Sequence, residues 1–497
     1  MSTTSDVCLI LEGTYPYVAG GVSSWVHQLV TALSDVRFSL LVILPTRDYI
    51  REFKYQMPSN IVDLRQIFIH DYEAQKPKCI YSRKKKEIFD ELEKLIIEAV
   101  NGNLSRFEML VPYLTGKENG LSLTIEDLIF STLSWEMISN LYHHFNLNIS
   151  FIDFFWTYRF TVMPLFNIFH AQIPDASIYH AISTGYAGIL ASIGKINQRA
   201  ALILTEHGIY TRERKIEIAQ ASWIYDEKAT DTRPETAMSF FKQWWTTFFG
   251  MMSILCYHHC NEIITLYEGN QIEQIKGGAD PSRVSIIPNG IDLKGGTPQQ
   301  RVLDSSKTDF VIGLVGRVVP IKDVKTFIKS CKVVLDALPD CRFLIMGPTD
   351  EDEEYYHECV ALRDMLGMTD KITFTGIINV NEYYPKLDLL VLTSESEAQP
   401  LVILEAHAVG LPVVSSDVGS CQEMLYGRIP EDKAIGKSGL ITGVGNPAET
   451  GEAIVQILSD PQQYTAMSKA GAQRVERFYN RDELFAKYLN LYDKYMF

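Results

Sequence analysis

Twice along this chain, short apolar runs alternate with loops and with segments of helical periodicity. The first series opens with Val7-Cys8-Leu9-Ile10-Leu11 and the loop 12–21. In residues 22–33, Val22, Trp25, Val26, Leu29, Val30 and Leu33 then fall on one face. The next apolar run is 38–44, and others lie at 177–181, 201–205, 262–266 and 284–287. A second series starts at Phe310, with runs at 310–315, 342–346, 372–374, 387–392 and 412–415. Strands apolar on both faces must be covered on both, and parallel strands need a crossover to reach a neighbour. The pattern therefore predicts two parallel α/β sheets, and a length of 497 residues accommodates two or three domains.

Two stretches break the rhythm. Residues 71–170 begin with the basic run Arg83-Lys84-Lys85-Lys86 and continue as aromatic-rich helical patterns. They read as a helical insert, with the basic run as a solvated helix face. Residues 292–308 are polar and contain Gly295-Gly296, Pro298 and Ser305-Ser306, and they read as an inter-domain linker. The predicted division is an N-terminal domain over 1–295 and a C-terminal domain over 296–480, followed by an amphipathic helix within 481–497. Two such domains imply a cleft between them, with ligands beyond the carboxyl ends of the strands.

Charge and composition exclude several classes of function. Lys and Arg number 46 against 61 Asp and Glu, a net charge of −15, which disfavours non-specific binding to nucleic acid or anionic lipid. The eight cysteines form no CxxC pair; Cys256 and Cys260 flank His258 and His259 in an apolar stretch and read as buried thiols. No signal peptide is recognisable, and no apolar run reaches 18 residues. The segment 145–169, broken by Asp153, Arg159 and Pro164, reads as a buried or interfacial helix. A cytoplasmic protein is expected.

Several residues could carry chemistry. Arg317 follows Gly316 at the end of the run 310–315, and Lys322 is read at the start of the next helix. A planar fork and a mobile point charge at a strand exit suit a diphosphate, although the pair alone also fits loop capping. After the run 387–392, Glu397 precedes Pro400, and Glu405 lies eight residues on, inside a predicted helix. The N–H groups of Leu401 and Val402 would be free helix-end donors. Taken alone, the two acids equally fit a cap and a surface glutamate. Gly20-Gly21 precedes a helix, and His207 ends a strand in Thr205-Glu206-His207-Gly208. Asp350-Glu351-Asp352 has the spacing of a metal site but reads as an acidic helix start, so no metal site is assigned.

The order of these signals is more specific than any one of them. Gly20-Gly21, His207, Pro288-Asn-Gly-Ile-Asp292, Gly316-Arg317 with Lys322, Phe374-Thr-Gly376, and Glu397 eight residues before Glu405 together resemble the retaining GT-B glycosyltransferases, the large family that includes sucrose synthases. The opening Leu11-Glu-Gly-Thr-Tyr-Pro-Tyr-Val-Ala-Gly-Gly-Val-Ser-Ser-Trp25 and Ser396-Glu-Ala-Gln-Pro-Leu-Val-Ile-Leu-Glu405 are similar to the PelF-like branch, cytoplasmic enzymes of Pel exopolysaccharide synthesis.

The resemblance implies two Rossmann-like domains, the N-terminal one on the acceptor side, with the last helix crossing back to it. It implies that Arg317 and Lys322 bind the donor diphosphate, Glu405 the ribose and Glu397 the donor sugar. His207 would touch the sugar, and Gly20-Gly21 would pack near phosphates and acceptor. Thr375, Gly376 and Ile377 would hold the base, and Pro400, Leu401 and Val402 would also bind the substrate. Glu397, His207, Arg317 and Lys322 would be the catalytic set. The implied donor is UDP-glucose or a UDP-N-acetylhexosamine, with no cofactor or metal, and the implied partners are a glycan acceptor and an inner-membrane synthesis and export complex. Two departures stand out: Ala398-Gln399-Pro400 replaces the family's Gly-Phe-Gly, which alters the sugar pocket, and Asp323 follows Lys322 where Gly is commoner, which adds a negative charge near the phosphates. An epimerase on the same fold and a non-catalytic nucleotide-sugar binder are the alternatives.

Overall fold

The computed structural model describes residues 5–49, 52–71, 81–116, 123–145, 149–220, 240–293, 296 and 298–496. The chain divides into two compact units. One comprises Met1–Thr265, Asn270–Ser285 and Tyr488–Phe497, and the other Leu266–Gly269 and Ile286–Lys487.

In the N-terminal unit the strands are β1 (Ser5–Glu12), β2 (Phe38–Leu44), β3 (Ile61–Phe68), β4 (Ala176–Ala181), β5 (Ala201–Glu206), β6 (Glu262–Thr265) and β7 (Val284–Ile286), in the order β3-β2-β1-β4-β5-β6-β7. β1 pairs parallel with β2, Val7 opposite Phe38, and with β4, Val7 opposite Ile178. The strand order reverses between β1 and β4, so the loops after them diverge and open a crevice at their carboxyl ends. β3 escaped the sequence reading because only its Ile67 is fully buried, so it lacks an uninterrupted apolar run.

Helices Arg83–Ala99, Phe107–Leu114, Ile125–Phe130, Thr132–Phe145 and Phe151–Phe169 fill the stretch between β3 and β4. They share one apolar core with the sheet, Leu92, Phe107 and Phe169 packing in the same cluster as Ile10 and Leu41. The basic run needs a correction. The Lys85 side chain is only 15% exposed, and its Nζ donates to buried Asp127 at 2.6 Å. Asp127 also completes a capping box with Thr124, so one cation of the run ties two helices together instead of facing solvent.

The C-terminal unit contains β8 (Val311–Val315), β9 (Arg342–Met346), β10 (Ile372–Gly376), β11 (Leu389–Leu392), β12 (Val413–Ser416) and β13 (Gly439–Thr442), in the order β10-β9-β8-β11-β12-β13. Alternate residues of β11 enter different clusters, Leu389 and Val391 in one and Leu390 and Leu392 in the other, because the sheet is covered on both faces. β13 went unread because its four residues, Gly-Leu-Ile-Thr, carry too little apolar signal.

The stretch 292–308 is not a free linker. Among its described residues, Arg301 donates through Nε to Val409 O at 2.7 Å and through its other nitrogens to Leu387 O and Tyr384 O. Lys307 pairs with Asp388 at 2.8 Å. The turn Pro288–Asp292 likewise groups with the C-terminal unit. The seven cysteines among the described residues are buried free thiols; Cys79 lies outside the described residues. No described helix is long and apolar enough to cross a membrane.

Arg474, fully buried in the helix Pro461–Phe478, holds the C-terminal unit's last helices to the loop before β13. Its Nε donates to Asp432 Oδ1 at 2.6 Å, and its other N–H groups to Leu425 O, Ser438 Oγ, Asp432 O and Gly436 O at 2.7–3.2 Å. All five donors of the guanidinium are thus used. Replacing it by Ala leaves the nearly buried Asp432 carboxylate without its charge partner. Arg474→Ala should lower unfolding free energy by about 3–5 kcal/mol in urea titrations.

Candidate active site

In the C-terminal unit the switch in strand order falls between β8 and β11, where Ile312 lies opposite Leu389. The two loops leaving these strands carry Arg317, Lys322 and Glu397. They are stitched together by backbone: Thr393 Oγ1 donates to Lys322 O at 3.1 Å and to Asp323 O at 2.9 Å, and Glu395 N–H to Ile321 O at 2.9 Å.

Each cation in this cluster meets a carboxylate. Lys322 Nζ pairs with Glu397 Oε1, a mostly buried contact, and Glu397 Oε1 also accepts from Ser394 Oγ at 2.7 Å. Arg317 Nη1 pairs with Glu351 Oε2 at 2.8 Å, with both side chains about half exposed. Glu351 therefore faces the candidate anion site, while Asp352 caps the helix Glu353–Met365 by accepting from Tyr355 N–H at 3.0 Å. No group of three metal-ligating side chains occurs among the described residues.

Lys322 ends a short 3₁₀ turn, Pro320–Lys322, instead of opening the following helix. Asp323 is the N-cap of Val324–Ala337, with φ of 42°, in the left-handed region that glycine prefers. Its Oδ1 accepts from Thr326 N–H at 3.1 Å, so the carboxylate is engaged by the helix it caps.

Pro400 is the N-cap of Leu401–Ala408, and the helix begins at Leu401 as expected. Leu401 and Val402 lie in the first turn, where helix geometry leaves their N–H groups without intrahelical acceptors. Glu405 sits in the same helix and accepts from Tyr384 Oη at 2.6 Å. Burial raises the pKa of the Tyr384 phenol, keeping it a donor to that carboxylate. Gln399 holds the turn before the sheet: its Nε2 donates to Asn289 O at 3.0 Å and its Oε1 accepts from Asn289 N–H at 2.7 Å. Its amide is thus engaged by the Asn289 backbone.

Two glycines make the cluster possible. Gly347, after β9, has φ of 154°, and a Cβ there would overlap the Gly316 carbonyl. Its N–H donates to Gly376 O at 3.1 Å, linking the loop after β9 to the end of β10. Gly419 has φ of 53°, and a Cβ there would overlap the Glu397 carbonyl. Gly376, with φ of 66°, turns the chain at the end of β10, beside Thr375 and the 79% exposed Ile377.

Gly20, Gly21 and His207 belong to the N-terminal unit. Gly20 is extended, and neither it nor Gly21 has a heavy atom within 4 Å of a built Cβ, so neither glycine is required by backbone or packing. They leave open space at the start of Gly21–Ala32. His207 follows β5, and its ring meets the Trp25 ring at 4.7 Å. Neither ring nitrogen has a hydrogen-bond partner among the described residues, and burial lowers the pKa to about 4. Beneath it, His180 of β4 bonds Tyr492 Oη through Nδ1 at 2.6 Å and Thr205 Oγ1 through Nε2 at 2.8 Å. Burial takes its pKa to about 3.

Sequence reasoning missed the residues that hold the candidates. Tyr384, Glu351, Trp25 and Tyr488 come from other elements, and no local motif marks their contacts, while Ser394 reaches Glu397 from three residues earlier in the same loop. Tyr488 belongs to the N-terminal unit and meets the Trp25 ring at 5.4 Å.

The buried histidines predict a pH dependence. Their folded pKa values lie below the unfolded value near 6.5, so the unfolded chain binds more protons between about pH 6.5 and 4, and stability falls with pH in that window. Each should cost about 2 kcal/mol between pH 7 and pH 5. Denaturant titrations at the two pH values should show a smaller difference for His180→Gln than for the wild type.

Comparison with known proteins adds the family. Residues 5–282, more than half of the chain, match the family described as a domain of unknown function (DUF3492), and residues 309–460 match glycosyl transferases group 1. D-inositol 3-phosphate glycosyltransferases are among the relatives. That of Segniliparus rotundus is 28% identical over 208 residues, 40% of this chain and 44% of that protein. That of Mycolicibacterium smegmatis is 30% identical over 227 residues, 42% and 48% of the two chains. The match thus spans less than half the length of these relatives. Among solved structures, Anabaena HepE in complex with UDP and glucose is 14% identical, with a TM-score of 0.56 over 98% of this chain and 99% of that one. Sucrose-phosphate synthase from Thermosynechococcus elongatus is 18% identical, with a TM-score of 0.55 over 98% of each chain. At these identities the likeness shows the fold, two Rossmann-like α/β domains of the GT-B kind. The chain belongs to the DUF3492 family, and it carries that domain ahead of a group 1 glycosyltransferase domain.

Proposed function

We propose that this protein is a retaining glycosyltransferase that moves a hexosyl unit from UDP-glucose or a UDP-N-acetylhexosamine onto a glycan of the Pel exopolysaccharide type. The observation that carries this reading is the cluster of Arg317, Lys322 and Glu397 at the adjoining carboxyl ends of β8 and β11. There Glu351 and Glu397 hold the two cations much as phosphate oxygens would. The solved complexes of HepE with UDP and glucose and with UDP-glucose support the choice of donor.

In the proposed reaction the bond between the anomeric carbon and the diphosphate breaks, its electron pair going to the phosphate oxygen. The acceptor hydroxyl oxygen bonds the anomeric carbon on the same face, and its proton passes to the departing phosphate. Arg317, Lys322 and the N–H groups of Leu401 and Val402 stabilise the leaving charge. Glu397 faces the sugar as it gains positive character, Glu405 binds the ribose, and Thr375, Gly376 and Ile377 hold the base. Gly20, Gly21 and His207 serve the acceptor and sugar side. The working location is the cytoplasm, with recruitment to the inner membrane by partners of the same pathway.

Charge-assisted contacts of about 1.5–3 kcal/mol mean that Arg317→Ala should weaken UDP binding roughly 10- to 100-fold in calorimetry. Glu405→Ala should impair UDP and UDP-sugar binding alike, whereas Glu397→Ala should spare UDP affinity and depress turnover. A folded Arg317→Ala protein with wild-type UDP affinity, or identical behaviour of the two glutamate variants, refutes the assignment. Because the two cations supply the positive charge, UDP release should persist in EDTA; activity abolished by EDTA and restored by magnesium refutes the metal-independent mechanism. Analysis of labelled products distinguishes free UDP plus glycan from an epimerised or unchanged donor.

A further inference from the structure

The helices between β3 and β4, together with Phe240–His259, line a partly open apolar pocket of about 280 Å³ within the N-terminal unit. Leu92, Ile96, Phe107, Leu165, Phe169 and Phe248 contribute to its walls. Among its described lining residues, polar side-chain atoms come from Gln243, Thr247 and Trp244, and the Trp244 indole N–H already donates to Thr161 Oγ1 at 3.2 Å. Buried water needs two to four polar partners, and these walls offer them only around Gln243 and Thr247, the rest of the described lining being apolar. A peptide would bring an N–H and a C=O with every residue, and these would lose their hydrogen bonds here. The chemistry that fits is hydrocarbon. An engineered cavity of roughly 150 Å³ with Leu, Ile and Phe walls takes up benzene, and this one is nearly twice as large.

A second observation says what kind of hydrocarbon. The helix Phe151–Phe169 changes character along its length. Its C-terminal half supplies Val162, Leu165, Phe166 and Phe169 to the cavity. Its N-terminal half exposes Ile152 by 67%, Trp156 by 49% and Phe160 by 64%. Four-residue spacing sets these three in one stripe, and Trp135, 55% exposed, meets the Phe151 and Phe155 rings beside it. The Arg159 guanidinium lies over the Phe155 and Phe130 rings. Tryptophan and phenylalanine beside a cation are the side chains that settle at the boundary between headgroups and acyl chains. One helix thus joins a surface suited to lipid with an interior suited to a lipid tail.

We propose that this cavity binds one hydrocarbon chain of a lipid, acyl or isoprenoid. It uses no residue assigned to the donor, so it stands or falls apart from the proposed transferase reaction.

The test uses the full chain and the fluorescent fatty acid cis-parinaric acid. The wild type should bind it saturably at a single site. Ala99→Phe, from the helix Arg83–Ala99, and Val162→Phe, from the half-buried wall, should each fill the cavity and weaken binding about tenfold or more, with unchanged circular dichroism. Should Ala99→Phe fail to fold, the less buried Val162→Phe carries the test. No saturable binding by the wild type, or wild-type affinity in a folded, filled variant, overturns the proposal. A second arm follows transfer of a parinaroyl phospholipid from phosphatidylglycerol–phosphatidylethanolamine vesicles. Transfer slowed by Trp156→Ser, with binding of the free acid intact, identifies a membrane lipid as the source. Saturable binding of the free acid without any transfer from vesicles identifies a free fatty acid.

Discussion

A parallel strand buried on both faces must be roofed by helices above and below, and that requirement organises both units of this protein. It leaves the strand ends as the places where polar side chains can gather without disturbing the core. Where the strand order reverses, the loops from neighbouring strands leave in opposite directions and a crevice follows. In the C-terminal unit that geometry brings Arg317, Lys322 and Glu397 together from loops 75 residues apart in sequence. In the N-terminal unit the crevice forms after β1 and β4, and His207 lies after the next strand, β5.

The cluster is held by two ion pairs of different character. Arg317 and Glu351 are both about half exposed, and a pair of that kind contributes about 0–1 kcal/mol. A diphosphate could replace Glu351 at small cost. Lys322 and Glu397 are more buried and share Ser394, so they are more firmly fixed. The fixed pair sets the geometry, and the exposed Arg317 is the group freest to turn toward an incoming anion. Gly347 and Gly419 allow the backbones behind the pairs to approach more closely than any side chain would permit.

The helical insert follows different rules. Its inward faces complete the sheet's core, yet its aromatic content exceeds what that core requires. The excess goes to the cavity and to the exposed stripe of Phe151–Phe169. A reading of this helix as either buried or interfacial falls short because its two halves do different things.

The local signals carried a good deal. The apolar runs located eleven of the thirteen strands among the described residues, and the missed ones, β3 and β13, are those whose residues are only partly buried or too few. Arg317, Lys322, Glu397 and His207 could be singled out as candidates because each lies in the loop after a strand, and Glu405 because it lies in the helix that follows such a loop, positions that the sequence itself marks. What no local pattern could supply was the identity of their partners. Glu351 looked like an acidic helix start and meets Arg317; Lys85 looked solvated and is paired with buried Asp127. The sequence by itself determined the alternation of strand and helix, because periodicity and turn chemistry act over a few residues. Only the tertiary structure decided which charges neutralise one another, because Coulomb attraction and desolvation depend on distance and burial, and these are set by elements far apart along the chain.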